Sequence, residues 1–324
     1  MKRNPNLMAW KVMMPKKIMF GENAAKEFPY PNNALVITTT TPDIYNKWLD
    51  YMGIKGYEVY DKVTPDPAIE TVEAIQREYE TKDISCYIGL GGGSSMDVCK
   101  YLGKLTGKPK ILIPTTFGTG AEMTTYAVIS FSHKKKLLQD EAFLADAAIV
   151  DPYFLPGTPF NIMRNSACDA AAQASEAYDS KLANPFTKFF CKEAFDILED
   201  GIINDKHHLL PYGAMLSGIG FGNASTTLGH ALSYAFSNEG IPHGYALSSC
   251  TTVAHKFNKS TYYERFKRIC QKLNFEPIKL KKPLDQAADD IMPDRGHLDN
   301  NPIPVTKQDV IKCLEEIVAG NPLA

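Results

Sequence analysis

Gly89-Leu90-Gly91-Gly92-Gly93-Ser94-Ser95-Met96-Asp97 is the stretch on which the reading of this 324-residue chain turns. Ile84 to Leu90 in front of it is an apolar run of strand character, and Met96, Val98, Cys99, Leu102 and Leu105 behind it recur at helical spacing. Glycines between strand and helix let the backbone approach a phosphate closely, and the helix start offers unpaired N–H groups and the positive end of its dipole. Ser94 and Ser95 add hydroxyl donors. The spacing is not the GxGxxG fingerprint, which requires glycine at 94, and the stretch follows the third or fourth strand rather than the first. A tight turn without a ligand is the alternative. A second loop, Pro114-Thr115-Thr116-Phe117-Gly118-Thr119-Gly120-Ala121-Glu122, also follows a strand and is rich in glycine and hydroxyls. Two such loops at the carboxyl edge of one parallel sheet lie where doubly wound folds bind ligands.

Outward from these loops, strand-like and helix-like segments alternate. Ala34-Leu35-Val36-Ile37, Ile111-Leu112-Ile113 and Ala147-Ala148-Ile149-Val150 read as strands, while Ile69, Val72, Ile75 and Tyr79 mark a helix after Asp66-Pro67. Such alternation predicts a mainly parallel sheet covered by helices. After Pro159 the segments 163–178, 186–199, 212–236 and 261–272 are longer, rich in Ala and Leu, and read as helices. Pro152, Pro156, Gly157 and Pro159 cluster at the change. The expected fold is an α/β N-terminal Rossmann-like parallel-sheet domain, residues 1–155, followed by an all-α C-terminal domain, residues 156–324. Asp299-Asn300-Asn301-Pro302 reads as a loop before a last helix capped by Thr306.

Composition narrows the function classes. Lys and Arg number 35 against 37 Asp and Glu, a formal charge of −2, which argues against nucleic-acid binding by bulk positive charge. No apolar run approaches the ~20 residues of a membrane span. Met1-Lys2-Arg3-Asn4-Pro5 carries a basic pair with no apolar signal core behind it, so a cytoplasmic protein is expected. Cys86, Cys99, Cys168, Cys191, Cys250, Cys270 and Cys313 occur singly, without CxxC, and read as reduced core residues.

The seven histidines are His133, His207, His208, His230, His243, His255 and His297. His230 lies in an apolar helical segment, His243 in a Pro242-His243-Gly244 turn, and Asp169 in a run of small apolar residues. An isolated buried carboxylate needs a cation or strong donors. A metal on Asp169, His230 and His243 would satisfy all three, and that donor set suits catalytic zinc or non-haem iron. Local pairing of Asp169, with the histidines as core residues, is the other explanation.

Taken together, these stretches resemble the iron-containing alcohol dehydrogenases, the group that shares its fold with glycerol dehydrogenase and dehydroquinate synthase. The resemblance runs through Phe20-Gly21, Gly89 to Lys100, Pro114 to Glu122, Ile149 to Pro152, Asp169 to Tyr178, Gly229-His230-Ala231, Pro242-His243-Gly244 and Asn301 to Thr306. It implies a nucleotide domain, a helical domain and a cleft between them. It places a nicotinamide cofactor over Gly91, Gly92, Gly93, Ser94 and Asp97, with Thr115, Thr116 and Thr119 nearby, and aligns Lys135 with a lysine near the cofactor. By itself, Lys134-Lys135-Lys136 reads as a solvated charge run. The Pro114 loop resembles the alcohol dehydrogenases rather than the synthase.

Three departures stand out. The family pattern of metal ligands is Asp-x-x-x-His followed by two later histidines, and here Gln173 occupies the fourth place after Asp169. A further family histidine, linked to proton relay, is replaced by Tyr234, which becomes the candidate catalytic proton donor. Ile37-Thr38-Thr39-Thr40-Thr41 carries no acid before Asp43, which favours NADP over NAD, because a carboxylate there would repel the 2′-phosphate. The chain is also short for the family, chiefly after His243.

The resemblance therefore implies metal-dependent hydride transfer between NAD(P) and a small alcohol or aldehyde, with iron or zinc on Asp169, Gln173, His230 and His243. The alternatives are a zinc-dependent glycerol or polyol dehydrogenase, and a nucleotide-binding protein with a decayed metal site. A small-molecule substrate, no nucleic acid or membrane partner, and a possible homodimer complete the expectations.

Overall fold

The computed structural model describes residues 9–132 and 134–319, which fall into two compact units, Met13–Thr158 and Pro159 onward together with the chain through Val12. The expectation drawn from Met1 to Pro5, and His133, lie outside the described residues.

The first unit is built on β1 (Ile18–Phe20), β2 (Ala34–Ile37), β3 (Tyr57–Tyr60), β4 (Cys86–Gly91), β5 (Lys110–Pro114) and β8 (Ala147–Val150), all parallel in the order β1-β8-β5-β4-β2-β3. Every residue of β2, β4, β5 and β8 is buried, as a sheet covered on both faces requires. Helices α1 (Ala24–Glu27), α2 (Pro42–Met52), α3 (Ile69–Glu78) and α4 (Gly93–Thr106) connect the strands. After β2 the chain adds β3 on one side, then returns to place β4 on the other, so the carboxyl edge between β2 and β4 is the switch point of strand order. β6 (Tyr126–Phe131) and β7 (Lys134–Gln139) form a separate antiparallel hairpin that sequence periodicity did not announce. β1 and β3 were equally silent, β1 being only three residues long and β3 carrying Glu58 and exposed residues at its start.

The second unit is helical: α5 (Phe160–Asp179), α6 (Pro185–Ile203), α7 (Leu210–Phe221), α8 (Leu228–Ser237), α9 (His243–Asn258), α10 (Tyr263–Lys272), α11 (Leu284–Ile291), α12 (Arg295–Asn300) and α13 (Lys307–Ala319). Leu228, Leu232, Phe236, Val253, Ile291 and Leu314 belong to its core. Along α5, Ala170, Ala171, Ala172 and Ala174 are fully buried, so neighbouring helices pack against near-bare backbone.

Three expectations are corrected here. The segment 212–236 is two helices rather than one, because the chain turns through residues 222–227, where Ser225 takes a left-handed φ of 57°. Pro242-His243-Gly244 is a helix start rather than a turn: Pro242 fixes the entry and His243 opens α9. The loop expected at 299–302 is entered through the short α12, which ends at Asn300. Thr306 does cap α13, its hydroxyl accepting the Asp309 N–H while Asp309 accepts from Thr306.

Beneath the two glycine loops lies a buried charge cluster. Lys100 on α4 is fully buried and donates to Thr124 Oγ1 at 3.2 Å and the Tyr126 carbonyl at 2.6 Å, with Asp97 at 4.0 Å. Burial lowers the Lys100 ammonium to about 8 and raises Glu122, whose Oε2 has no hydrogen-bond partner, to about 7. Lys100→Met strands the carboxylates that face it, and a loss of about 3 kcal/mol in urea unfolding at neutral pH is expected. Glu122 holds its proton in the native state above the pH at which the unfolded chain releases it. Its stabilising contribution is therefore complete below pH 4.5 and declines as pH rises to about 7. Glu122→Gln is expected to flatten that decline in unfolding free energy measured across the interval.

Candidate functional site

In the first unit, the turn from β4 into α4 is shaped by Gly91, whose φ is 155° and where a Cβ would lie 2.6 Å from Ser95 Oγ. The second loop packs directly on the first: Thr115 N donates to the Gly91 carbonyl at 3.0 Å, and a Cβ on Gly92 would lie 3.1 Å from Thr116 Oγ1. Thr119 is equally close to Gly93, its Cγ2 being 3.2 Å from a Cβ built there. Across the switch point, Thr39 Oγ1 at the end of β2 lies 3.7 Å from the same built Cβ on Gly91. Gly91, Gly92, Gly93, Thr115, Thr116 and Thr119 are thus brought together, with Ser94 in the first turn of α4. The Ser95 hydroxyl is buried there without a hydrogen-bond partner. A bare backbone cradle, an orphan hydroxyl and the start of a 14-residue helix fit a pyrophosphate.

Two predicted residues are committed elsewhere. The Asp97 carboxylate accepts the Val128 N–H at 3.0 Å, and burial raises it to about 6. Lys135, on β7, pairs with Asp66 at 2.8 Å.

In the helical unit, Asp169 and Gln173 sit one turn apart on α5, His230 and Tyr234 one turn apart on α8, and His243 opens α9. One donor atom from each of Asp169, His230 and His243 lies within 4.8 Å of the others. His230 Nε2 is 3.8 Å and His243 Nε2 3.9 Å from Asp169 Oδ1, beyond hydrogen-bond reach yet close enough to share an ion. Gln173 Nε2 donates to that same Oδ1 at 2.9 Å, which leaves its buried Oε1 without a partner.

The imidazoles are oriented from behind. His230 Nδ1 donates to Glu176 Oε1 at 3.0 Å, and Ser233 Oγ lies 3.3 Å from His243 Nδ1. Each ring thereby presents Nε2 toward Asp169, and His230 Nε2 is buried without a hydrogen-bond partner. Burial opposes charge on His230, yet Glu176 and Asp169 outweigh it and raise the ring to about 9. Glu176 is itself fully buried; burial pushes its carboxyl up, but His230, His255 and Thr251 hold it well below the usual carboxylate range. The donor set therefore carries negative charge that a cation satisfies, and the orphaned Nε2 marks where. A divalent ion fits these residues.

Tyr234 lies beside this group, its ring 6.1 Å from that of His243. Burial raises its phenol well above the ordinary value, so it keeps its proton. In the sequence Glu176 stands out only as part of the matching stretch from Asp169 to Tyr178, with no role assigned although it shares a helical face with Asp169 seven residues earlier, and His297, whose approach to the site has no local signal, is assigned none either.

With this geometry in place, known proteins supply the context. The iron-containing alcohol dehydrogenase model matches residues 15–152, and the C-terminal model of the same family matches residues 164–292. The chain belongs to the iron-containing alcohol dehydrogenase family. It is 32% identical to 4-hydroxybutyrate dehydrogenase of Clostridium kluyveri over 62% of this chain and 61% of that protein. It is 30% identical to 1-propanol dehydrogenase PduQ of Salmonella typhimurium over 68% of this chain and 64% of that protein. The matches thus span less than two thirds of these relatives' lengths. Among solved structures, alcohol dehydrogenase from Oenococcus oeni superposes with a TM-score of 0.85 at 22% identity, covering 95% of this chain and 100% of that one. Sulfoacetaldehyde reductase from Bifidobacterium kashiwanohense, in complex with NAD+, gives 0.86 at 20% identity over 97% and 100%. At these identities the superpositions establish the shared fold. No helix among the described residues is long and apolar enough to cross a membrane.

Glu176→Ala removes the carboxylate that orients His230. A 10- to 100-fold fall in divalent-ion affinity is expected, read by competition titration against a chromogenic chelator.

Proposed function

We propose that this chain is an NAD(P)-dependent alcohol dehydrogenase or aldehyde reductase that transfers a hydride between the cofactor and a small alcohol or aldehyde. The observation that carries the proposal is the convergence of two oriented imidazoles on a buried carboxylate, with His230 Nε2 left unpartnered, in a chain of this family. Asp169, His230 and His243 would hold a divalent ion, with the Gln173 amide oxygen available as a weaker fourth donor. When bound, the ion supplies a Lewis acid for the substrate oxygen and the nicotinamide supplies the hydride. Gln173 keeps Asp169 from turning away by its amide N–H. Tyr234, protonated and beside His243, is placed to donate a proton to a developing alkoxide.

The family supports iron ahead of zinc, and with it the alcohol dehydrogenase reading ahead of a zinc-dependent polyol enzyme. The decayed-site reading sits poorly with two imidazoles each still backed at Nδ1. Residues 1–155 are assigned to the nucleotide and 156–324 to metal and substrate. The cofactor would rest on Gly91 to Ser94, Thr115, Thr116 and Thr119. For Asp97 and Lys135, the partners described above favour structural roles. NADP is preferred over NAD, because the nearest acid after β2, Asp43, already accepts the Thr41 hydroxyl at 2.5 Å. Seven buried, unpaired cysteines support a reducing, cytoplasmic setting.

The test is NADPH oxidation with a panel of short aldehydes, before and after chelation and with iron or zinc restored. Activity that falls on chelation and returns with iron is expected. Absence of turnover in every metal state would refute the assignment. Asp169→Asn is expected to lower kcat by at least about 100-fold, with metal content falling in parallel. Thr39→Asp introduces a carboxylate at the end of β2, and the NADPH-over-NADH ratio of kcat/KM is expected to fall about tenfold or more.

A further inference from the structure

The cluster beneath the glycine loops holds two carboxyl groups for one ammonium. Asp97 and Lys100 stand on α4, about 6 and 10 Å along the helix from Gly93. Glu122 lies on the short 3₁₀ helix Ala121–Met123 that ends the second loop. It is only 3% exposed, and Lys100 is buried completely. Lys100 directs its N–H groups to Thr124 Oγ1 and the Tyr126 carbonyl, and Asp97 is met by the Val128 N–H. Glu122 Oε2 has no hydrogen-bond partner. Of the elements packed against Glu122, α4 supplies Lys100 with Asp97 4.0 Å beyond it, β5 carries only Lys110, which pairs with Asp146, and β8 carries no titratable side chain. Ionised, Glu122 would leave this buried group with a net negative charge and an unanswered oxygen. Protonated, it leaves Asp97 and Lys100 in balance.

We propose that binding of the nicotinamide cofactor is coupled to uptake of a proton by Glu122, which makes this cluster a proton-linked latch under the phosphate loops. The inference rests on the cofactor reading of Gly91 to Ser94, Thr115, Thr116 and Thr119. A pyrophosphate on these loops brings further negative charge above a group that is already negative when Glu122 is ionised. At about 10 Å through protein, one charge shifts such an equilibrium roughly tenfold. The cofactor therefore favours the neutral carboxyl, and by reciprocity a proton on Glu122 favours the cofactor. The proton comes from solvent, and no other bond changes. The contacts that carry the linkage are in place: Lys100 grips the segment behind the second loop, and that loop touches the first at Gly92 and Thr116. Burial sets the Glu122 carboxyl at about 7 in the free protein, so the linkage falls in the neutral range. Below that pH the proton is already present and affinity is level. Above it the proton must be acquired on binding, and affinity falls as pH rises.

The experiment titrates the full chain with NADPH by calorimetry at pH 7, in buffers of different ionisation enthalpy, which counts the protons taken up. Nicotinamide fluorescence gives Kd from pH 6 to pH 7.5. Glu122→Gln keeps the neutral form at every pH, and protons exchanged by the cofactor's own phosphates cancel in the difference between the two proteins. The wild type is expected to take up about 0.5 proton more than Glu122→Gln, and its Kd to rise about three- to fourfold more across the range. Glu122→Asp, which restores an acid, is expected to recover part of the uptake. Weaker binding in Glu122→Gln with an unchanged proton count is what a merely structural role produces, and it would overturn the proposal. If Glu122→Gln does not fold, the wild-type count with NADH, which has no 2′-phosphate, still decides: about 0.3 proton or more supports the latch and less than about 0.1 refutes it. Binding without proton uptake removes the latch and leaves the cofactor reading standing. Failure of both NADPH and NADH to bind at every pH removes the cofactor reading and the latch with it.

Discussion

The helical unit is organised around one buried carboxylate. Glu176 accepts from Thr227 N and Oγ1 at 2.9 Å, from Thr251 Oγ1 at 2.8 Å and from His230 Nδ1 at 3.0 Å, so α5, α8 and α9 meet on a single side chain. An unpaired charge at that depth would be prohibitive; fully hydrogen-bonded, it fixes where three helices cross. It also has no slack. A Cβ on Gly229 would come within 2.3 Å of Glu176 Oε1, which is why α8 carries glycine immediately before His230. At the other end of the same contact, a Cβ on Gly244 would lie 2.0 Å from the Asn165 carbonyl, so α9 can approach α5 only with glycine behind His243. Both histidines are thus seated by glycines whose role is steric.

The sheet unit obeys a different constraint, that of strand order. Because the chain reverses direction across the sheet between β2 and β4, the loops that follow these strands diverge and leave a crevice at their carboxyl ends. Buried beneath the two glycine loops, Lys100 ties α4 to the segment that follows the second loop. The loops are therefore coupled from below by a charge and from above by direct contact between Gly92 and Thr116.

The buried strands could be read from sequence because continuous apolar runs leave few alternatives once both sheet faces are covered. β1, β3 and the β6–β7 hairpin could not, being short or mixed with charge, as in Tyr57-Glu58-Val59-Tyr60 and Lys134-Lys135-Lys136. The break between α7 and α8 was written in Gly222-Asn223-Ala224-Ser225, but the strong apolar character on either side masked it. At the site, Asp169 was visible because a carboxylate among alanines demands an explanation, and the motifs around His230 and His243 supplied partners. His297 was hidden for a physical reason. Its proximity to His230 is made by packing between distant helices, and no local periodicity encodes such a contact.

The alanine run of α5 has a thermodynamic consequence. Asp169, Gln173 and Glu176 project from a helix whose intervening residues have almost no rotamer freedom to lose, and their own short side chains are held by hydrogen bonds within the unit. The disorder that a flexible site would surrender on capturing an ion has here been removed at folding. Binding then draws on conformational entropy already forfeited by the chain, and the selectivity of the centre becomes a property of its rigidity as much as of its donor atoms.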